Sequence, residues 1–124
     1  MVSYGMESRH SLLKSFRFAF EGLRAAIARG RNFRIQIAAG LMACILGVIL
    51  RLSSSEWLDL VIIIALVLIL ELVNTSIEAL VDLVSPEIRE KAKLAKDAAA
   101  AAVLVTSIGS IIIGILLFLP KLLQ

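Results

Sequence analysis

Residues 57–84 read WLDLVIIIALVLILELVNTSIEALVDLV, an apolar run interrupted by Asp59, Glu71, Glu78 and Asp82. A hydrocarbon core of about 30 Å takes about 20 helical residues, so this run crosses a bilayer and projects one or two turns beyond it. At about 100° per residue, Asn74 falls at about −60°, Glu78 at about −20° and Asp82 at about +20° from Glu71. All four therefore share a strip of about 80° on one helix face. Glu71 lies near the middle of the apolar run, where a charged side chain costs about 3 kcal/mol or more. Such residues face a bundle interior or a polar cavity and mark chemistry or transport. The plainer alternative is a set of protonated acids that hydrogen-bond between helices; Asp82, near one end, and Asn74 fit either role. Glu71 and Glu78 are about 10 Å apart along the axis, too far to share one proton or one small ion. The deeper acid reads as a base and the shallower one as a holder of a cation.

The rest of the chain agrees with a membrane setting. It has 124 residues, 60% of them hydrophobic and 19% charged, with a mean hydropathy of +0.95. That excludes a disordered chain, a fibre or a disulfide scaffold, and a soluble globule of this size could not hide so much apolar surface. A second apolar run, 35–50, carries Gln36 as its one strongly polar residue, and a third, 98–119, carries no charge. Ahead of them, Leu12, Phe16, Phe20, Leu23 and Ile27 recur at spacings of three and four, while Lys14, Arg17, Glu21 and Arg24 lie largely on the other face. That is the pattern of a basic amphipathic helix in the membrane interface, which Gly30 breaks. No short apolar core or cleavage site marks a signal peptide.

The expected fold is thus an all-α integral membrane protein of one domain, 1–124. An amphipathic interfacial helix over about 7–29 precedes transmembrane helices over about 33–51, 57–84 and 97–119. Eleven of the thirteen Lys and Arg residues fall in the N-terminal segment or the loop between the second and third spans. That side, and so the N-terminus, is expected to be cytoplasmic, with Trp57 an anchor at the outer interface.

Lys96 and Asp97 open the third span on the cytoplasmic side. They read either as a snorkelling cation and a helix cap, or as a phosphate-neutralising cation beside the carboxylate row. Ala98, Ala102, Thr106, Ser110 and Gly114 recur every four residues, as do Ala39, Ala43 and Gly47 on the first span. Such seams let helices approach closely in lipid, and three thin helices are few to enclose a polar site, so an oligomer that shares the site is expected. No phosphate-binding glycine loop and no protein-kinase motif set is present. The basic N-terminus lacks nucleic-acid motifs, His10 is expected to be solvated, and the lone Cys44 to pack in the first span. A small ion- or proton-coupled transporter built around Glu71 is the rival reading.

Residues 71–82, ELVNTSIEALVD, followed by Ala95-Lys96-Asp97 and an alanine-rich helix, resemble the prokaryotic diacylglycerol kinase family of small membrane lipid kinases. The segments Asp82-Leu-Val-Ser-Pro-Glu87 and Phe118-Leu-Pro-Lys121 look like its Gram-positive branch, whose members often act as undecaprenol kinases, and Gly22-Leu-Arg-Ala-Ala26 fits its amphipathic helix. The resemblance covers residues 12–121. It implies transfer of the γ-phosphate of ATP, with Mg2+, to a lipid alcohol by a homotrimer with shared sites. It implies that Glu71 is the general base, that Asn74 orients that region, and that Glu78 binds the nucleotide-bound magnesium. Lys96 and Asp97 would contact ATP, Glu87 would reach its adenosine part, and Phe18 would pack near the nucleotide. Lys14, Arg24 and Arg34 are the candidates for the substrate side of the site. The sequence departs from the family at Gly30, where a metal-assisting Glu is usual, at Gln36, where His or Glu is common, and at Arg89, where His is common.

Overall fold

The computed structural model describes residues 11–124. Among these residues the chain is all-helical: α1 Leu12–Arg29, α2 Arg31–Ile49, α3 Ser54–Val84 and α4 Glu90–Leu122, with no strand. Helices α2, α3 and α4 are each long and apolar enough to cross a membrane. The chain is an all-α membrane protein in which an amphipathic helix precedes three spans. Residues 7–10 of the expected amphipathic helix, His10 among them, lie outside the described residues.

Local chemistry sets the helix ends. Ser53 and Glu56 form a reciprocal capping box, in which the Glu56 N–H donates to Ser53 Oγ at 3.3 Å and the Ser53 N–H donates to Glu56 Oε2 at 2.8 Å. Two otherwise orphaned donors are thereby satisfied, so α3 starts one turn ahead of Trp57. Helix α4 begins at Glu90, well before the charge-free run. Residues 90–97 are good helix formers, and Lys93 pairs with Asp97 one turn on. Hydropathy marks where lipid begins on a helix, not where the helix begins. Between α2 and α3, Leu52 N–H donates to Gly47 O at 3.1 Å and Arg51 N–H to Val48 O at 3.3 Å. This is a Schellman closure, and it puts Arg51 at φ 56, a left-handed conformation that side chains other than glycine adopt at a cost.

Helices α3 and α4 pack as an antiparallel hairpin, which is the main interface of the chain. An ion pair closes each end: Lys96 with Asp82, and Lys121 with Glu56 at 3.1 Å. Along their helices these rungs are about 39 and about 38 Å apart, at ~1.5 Å per residue. That approaches the ~40–45 Å of a bilayer with its headgroups, so both pairs fall where charge meets water. Leu60 and Ile63 of α3, Phe118 of α4 and Leu52 of the corner form the buried core, with Trp57 and Ala43 against it. Most other large aliphatic side chains of the spans are exposed on the single chain, where lipid solvates them.

Helix α2 turns its small residues toward α3. A Cβ on Gly47 would stand 2.9 Å from both Leu52 Cδ1 and Trp57 Cη2, and one on Gly40 would stand 3.1 Å from Ile64 Cγ2. Gly47→Leu is therefore expected to destabilise the protein by about 1–3 kcal/mol, as overpacking does. The checks are the thermal midpoint in detergent and the emission of Trp57, the sole tryptophan. Gly22, whose Cβ would meet nothing, is the contrast: Gly22→Ala should hold or raise the midpoint. An unaltered midpoint and emission in Gly47→Leu would show that the indole does not rest on that glycine.

Candidate active site

The polar strip of α3 begins inside the bundle and ends in the open. Glu71 is 6% exposed and Asn74 8%, while Glu78 and Asp82 are exposed toward the α4 end of the helix. Gln36, in the second turn of α2, donates through Nε2 to Glu71 Oε2 at 3.4 Å. Thr75 Oγ1 donates back to Glu71 O at 3.0 Å, which removes a hydroxyl from lipid without a partner from another helix. Asn74 Nδ2 donates to Glu78 Oε1 at 3.3 Å and so ties the buried part of the strip to the exposed part. Two buried side-chain oxygens, Gln36 Oε1 and Asn74 Oδ1, have no hydrogen-bond partner among the described residues.

Helix α4 brings the cationic side. Lys96 reaches across to Asp82 and stands at the end of the carboxylate row. Asp97 does not cap α4. The helix starts at Glu90, so Asp97 lies two turns in and pairs with Lys93 instead. Glu87 is in the α3–α4 loop, where Ser85 Oγ donates to its carbonyl at 3.0 Å. Lys14, Phe18 and Arg24 are exposed on α1. Arg34 Nη1 donates to Ile27 O at 3.0 Å and Ala28 O at 3.1 Å, carbonyls that the end of α1 leaves open. Thus Glu78, Asp82, Lys96 and Asp97 lie at one end of the α3–α4 hairpin, Asn74 and Glu71 lie two to three turns further in on the same face of α3, and Arg34 holds the α1–α2 elbow. The Gln36–Glu71 contact was not read from the sequence. Its signal was a lone amide in an apolar span, which needs a partner on another helix.

Beside this row, an apolar cavity of about 410 Å³ lies between α2, α3 and α4, running from Gln36 past Gly40 and Ser110 to Phe118. Among the described residues no cluster of three or more His, Cys, Asp or Glu side chains forms a metal cage. Magnesium does not need one, because it takes hard oxygen donors and keeps most of its water and phosphate ligands. Glu78 and the unpartnered Asn74 Oδ1 are donors of that kind, side by side.

Gly30 joins α1 to α2 in an extended conformation, φ −99 and ψ 102. A Cβ there would lie 2.9 Å from Ala26 O and 3.2 Å from Phe33 Cβ, and Phe33 is the most buried side chain of the chain's described part. A carboxylate at position 30 would therefore have to displace the elbow before it reached anything. Gly30→Ala and Gly30→Glu are expected to lower the thermal midpoint in detergent by similar amounts, since the clash is at Cβ. Full stability of Gly30→Glu would show that the elbow yields freely.

The chain is similar to known proteins. Residues 17–118 match the family described as prokaryotic diacylglycerol kinase. A diacylglycerol kinase of Synechocystis is 44% identical over 92% of this chain and 66% of its own length. An undecaprenol kinase of Bacillus subtilis is 44% identical over 88% of this chain and 89% of its own. A diacylglycerol kinase of Escherichia coli is 34% identical over 82% of this chain and 83% of its own.

Proposed function

The chain belongs to the prokaryotic diacylglycerol kinase family, and we propose that it moves the γ-phosphate of ATP onto the hydroxyl of a membrane lipid alcohol, diacylglycerol or undecaprenol. The observation that carries this reading is one acid, Glu71, buried in an apolar helix and followed on the same face by Asn74 with its partner Glu78 and by Asp82 with its partner Lys96. That gradient from lipid to water suits a reaction whose acceptor is dissolved in the leaflet and whose donor is dissolved in the cytoplasm. The charged end is assigned to the cytoplasmic face because the basic residues of α1 and of the α3–α4 loop lie on that side.

Phosphoryl transfer asks mainly for positioning and charge neutralisation. Glu71 accepts the hydroxyl proton as the lipid oxygen bonds to the γ-phosphorus and the bond to the bridging oxygen breaks, releasing ADP. Asn74 orients this region and Glu78. Glu78, with Asn74 Oδ1 beside it, would hold Mg2+, which offsets charge on the phosphate oxygens when bound. Lys96 and Asp97 contact the nucleotide, Glu87 approaches its adenosine part from the loop, and Phe18 packs beside it from α1. Lys14 and Arg24 supply positive charge on the substrate side, and Arg34 adds to it while holding α1 in place.

The working unit is proposed to be a homotrimer with shared sites. Supporting this, the small seam of α4 is not filled by the described residues at Gly114, where a Cβ would meet nothing within 4 Å. Replacing Ala102 or Ser110 with Leu should weaken the assembly, because lipid offers no hydrophobic compensation for lost close packing. Native mass measurement in micelles reads this directly, and a fully active monomeric parent would refute it.

The activity is tested with the purified protein in detergent, labelled ATP and a panel of lipid alcohols that includes undecaprenol and diacylglycerol. Label should enter one or both lipids. Glu71→Gln, which keeps shape but removes basicity, should lower turnover by about 10²–10⁴-fold. Turnover within a few-fold of the parent in an assembled Glu71→Gln protein would remove Glu71 from the role of base. Proton uptake into vesicles with no lipid labelled would favour the transporter instead.

A further inference from the structure

We infer that Gln36 is a positioning residue for the proton transfer, its amide holding one oxygen of the Glu71 carboxylate so that the other faces the lipid hydroxyl. The inference rests on the reading of Glu71 as the base.

Gln36 is the one strongly polar side chain in the apolar run of α2, and its Nε2 is directed at Glu71 Oε2. The far end of the same amide, Oε1, is buried and has no partner among the described residues. A glutamine kept for helix association alone would be expected to use both ends of its amide, since an unpaired buried oxygen is unfavourable. Here only the donor is engaged, and its acceptor is the carboxylate. An aliphatic side chain would sit beside the apolar cavity at less cost. Stability therefore does not account for a glutamine at this place.

The chemistry of an amide does. The terminal torsion of a glutamate is broad, so a lone carboxylate samples many orientations about it. One fixed donor removes that freedom and leaves Oε1 of Glu71 as the oxygen open to the substrate. The donor is neutral, so it orients the acid without drawing its charge into an ion pair. It has no proton to lose near neutral pH, so it does not compete as a second base. The separation of 3.4 Å is long for such a bond. Catalytic hydrogen bonds are often long before substrate arrives and tighten in the reacting complex.

The test is a set of variants in the intact membrane enzyme, assayed with MgATP and the lipid alcohol that the panel identifies. Gln36→Met keeps length and flexibility and removes the donor; Gln36→Leu is the second form in case one variant assembles poorly. Either should lower kcat by about 10–100-fold, the scale of a misplaced catalytic group, with KM for ATP and for lipid unchanged and thermal midpoint equal or higher. Gln36→His restores an N–H donor and should recover part of the rate. In a Glu71→Gln background, Gln36→Met should cause no further loss, because its effect passes through the acid. The same proportional loss in both backgrounds would overturn the inference. So would a raised KM with kcat intact, or a fall in midpoint that parallels the fall in rate. Parent-like turnover of Glu71→Gln alone would instead remove the base reading, and the two failures are distinguishable.

Discussion

Inside hydrocarbon there is no water to satisfy a polar side chain, so each one on a spanning helix must be bonded by protein or carried to an end. The arrangement of this chain follows from meeting that demand on α3. Glu71 is met by Gln36 from α2, Thr75 turns back onto its own helix, and Asn74 meets Glu78. Of the charges that remain, Glu56 and Asp82 are met at the two ends by Lys121 and Lys96 of α4, while Asp59 lies exposed in the second turn of α3. Polar contacts thus fix the register of both neighbours against α3, where an all-aliphatic surface would let them slide.

Apolar packing then has a narrower task. Helices gain little from burying leucine against leucine when lipid is equally apolar, so close approach must come from shape. On α2 the shape is absence of side chain: Gly40 receives Ile64, and Gly47 receives the indole of Trp57 and the end of Leu52. The same Gly47 carbonyl accepts the Leu52 N–H that closes the corner, so one residue serves both the turn and the packing. At the other end of α2, Gly30 and Arg34 set the angle at which α1 leaves, one by lacking a Cβ and the other by bonding the last carbonyls of α1.

The three spans, the amphipathic helix and the polar strip of α3 were legible in the sequence because each is a periodicity or a run within one segment. Family membership was legible too, since residues 71–82 and 95–97 lie within the matched region. What was not legible is what depends on a second segment or on local capping. The spacing of Glu71, Asn74, Glu78 and Asp82 says that they share a face, but not that Gln36 meets the first and Lys96 the last. The start of α4 was hidden because charged residues 90–97 look like loop to a hydropathy reading, although their helix propensity is high. The start of α3 could have been found: Ser53 followed three residues later by Glu56 is a capping-box signature. The left-handed Arg51 had no sequence signal, since glycine or asparagine is the usual occupant of that position.

Depth is where sequence and structure differ most usefully. Counted along α3 alone, Glu71 is near the middle of an apolar helix and looks beyond the reach of a water-soluble phosphate donor. Gauged against α2 it stands level with the second turn of that helix. Gln36 lies about 8 Å from the first residue of α2, at ~1.5 Å per residue, and the amide bond puts Glu71 at that level. Arg31 and Arg34 begin α2, and arginines at a helix start belong at the headgroup boundary. Helix α3 therefore overhangs α2 by its last two turns or so, which carry Glu78 and Asp82 into the polar layer while Glu71 lies about 16 Å inward from Asp82, below the boundary of the hydrocarbon. A lipid alcohol keeps its hydroxyl near that boundary and its chains below it. In the proposed reaction a base within the hydrocarbon and a metal-binding carboxylate nearer the nucleotide stand on a single rigid helix. Bond formation needs the lipid oxygen and the γ-phosphorus in contact, so the two meet between the levels of Glu71 and Glu78, about 10 Å apart along the helix.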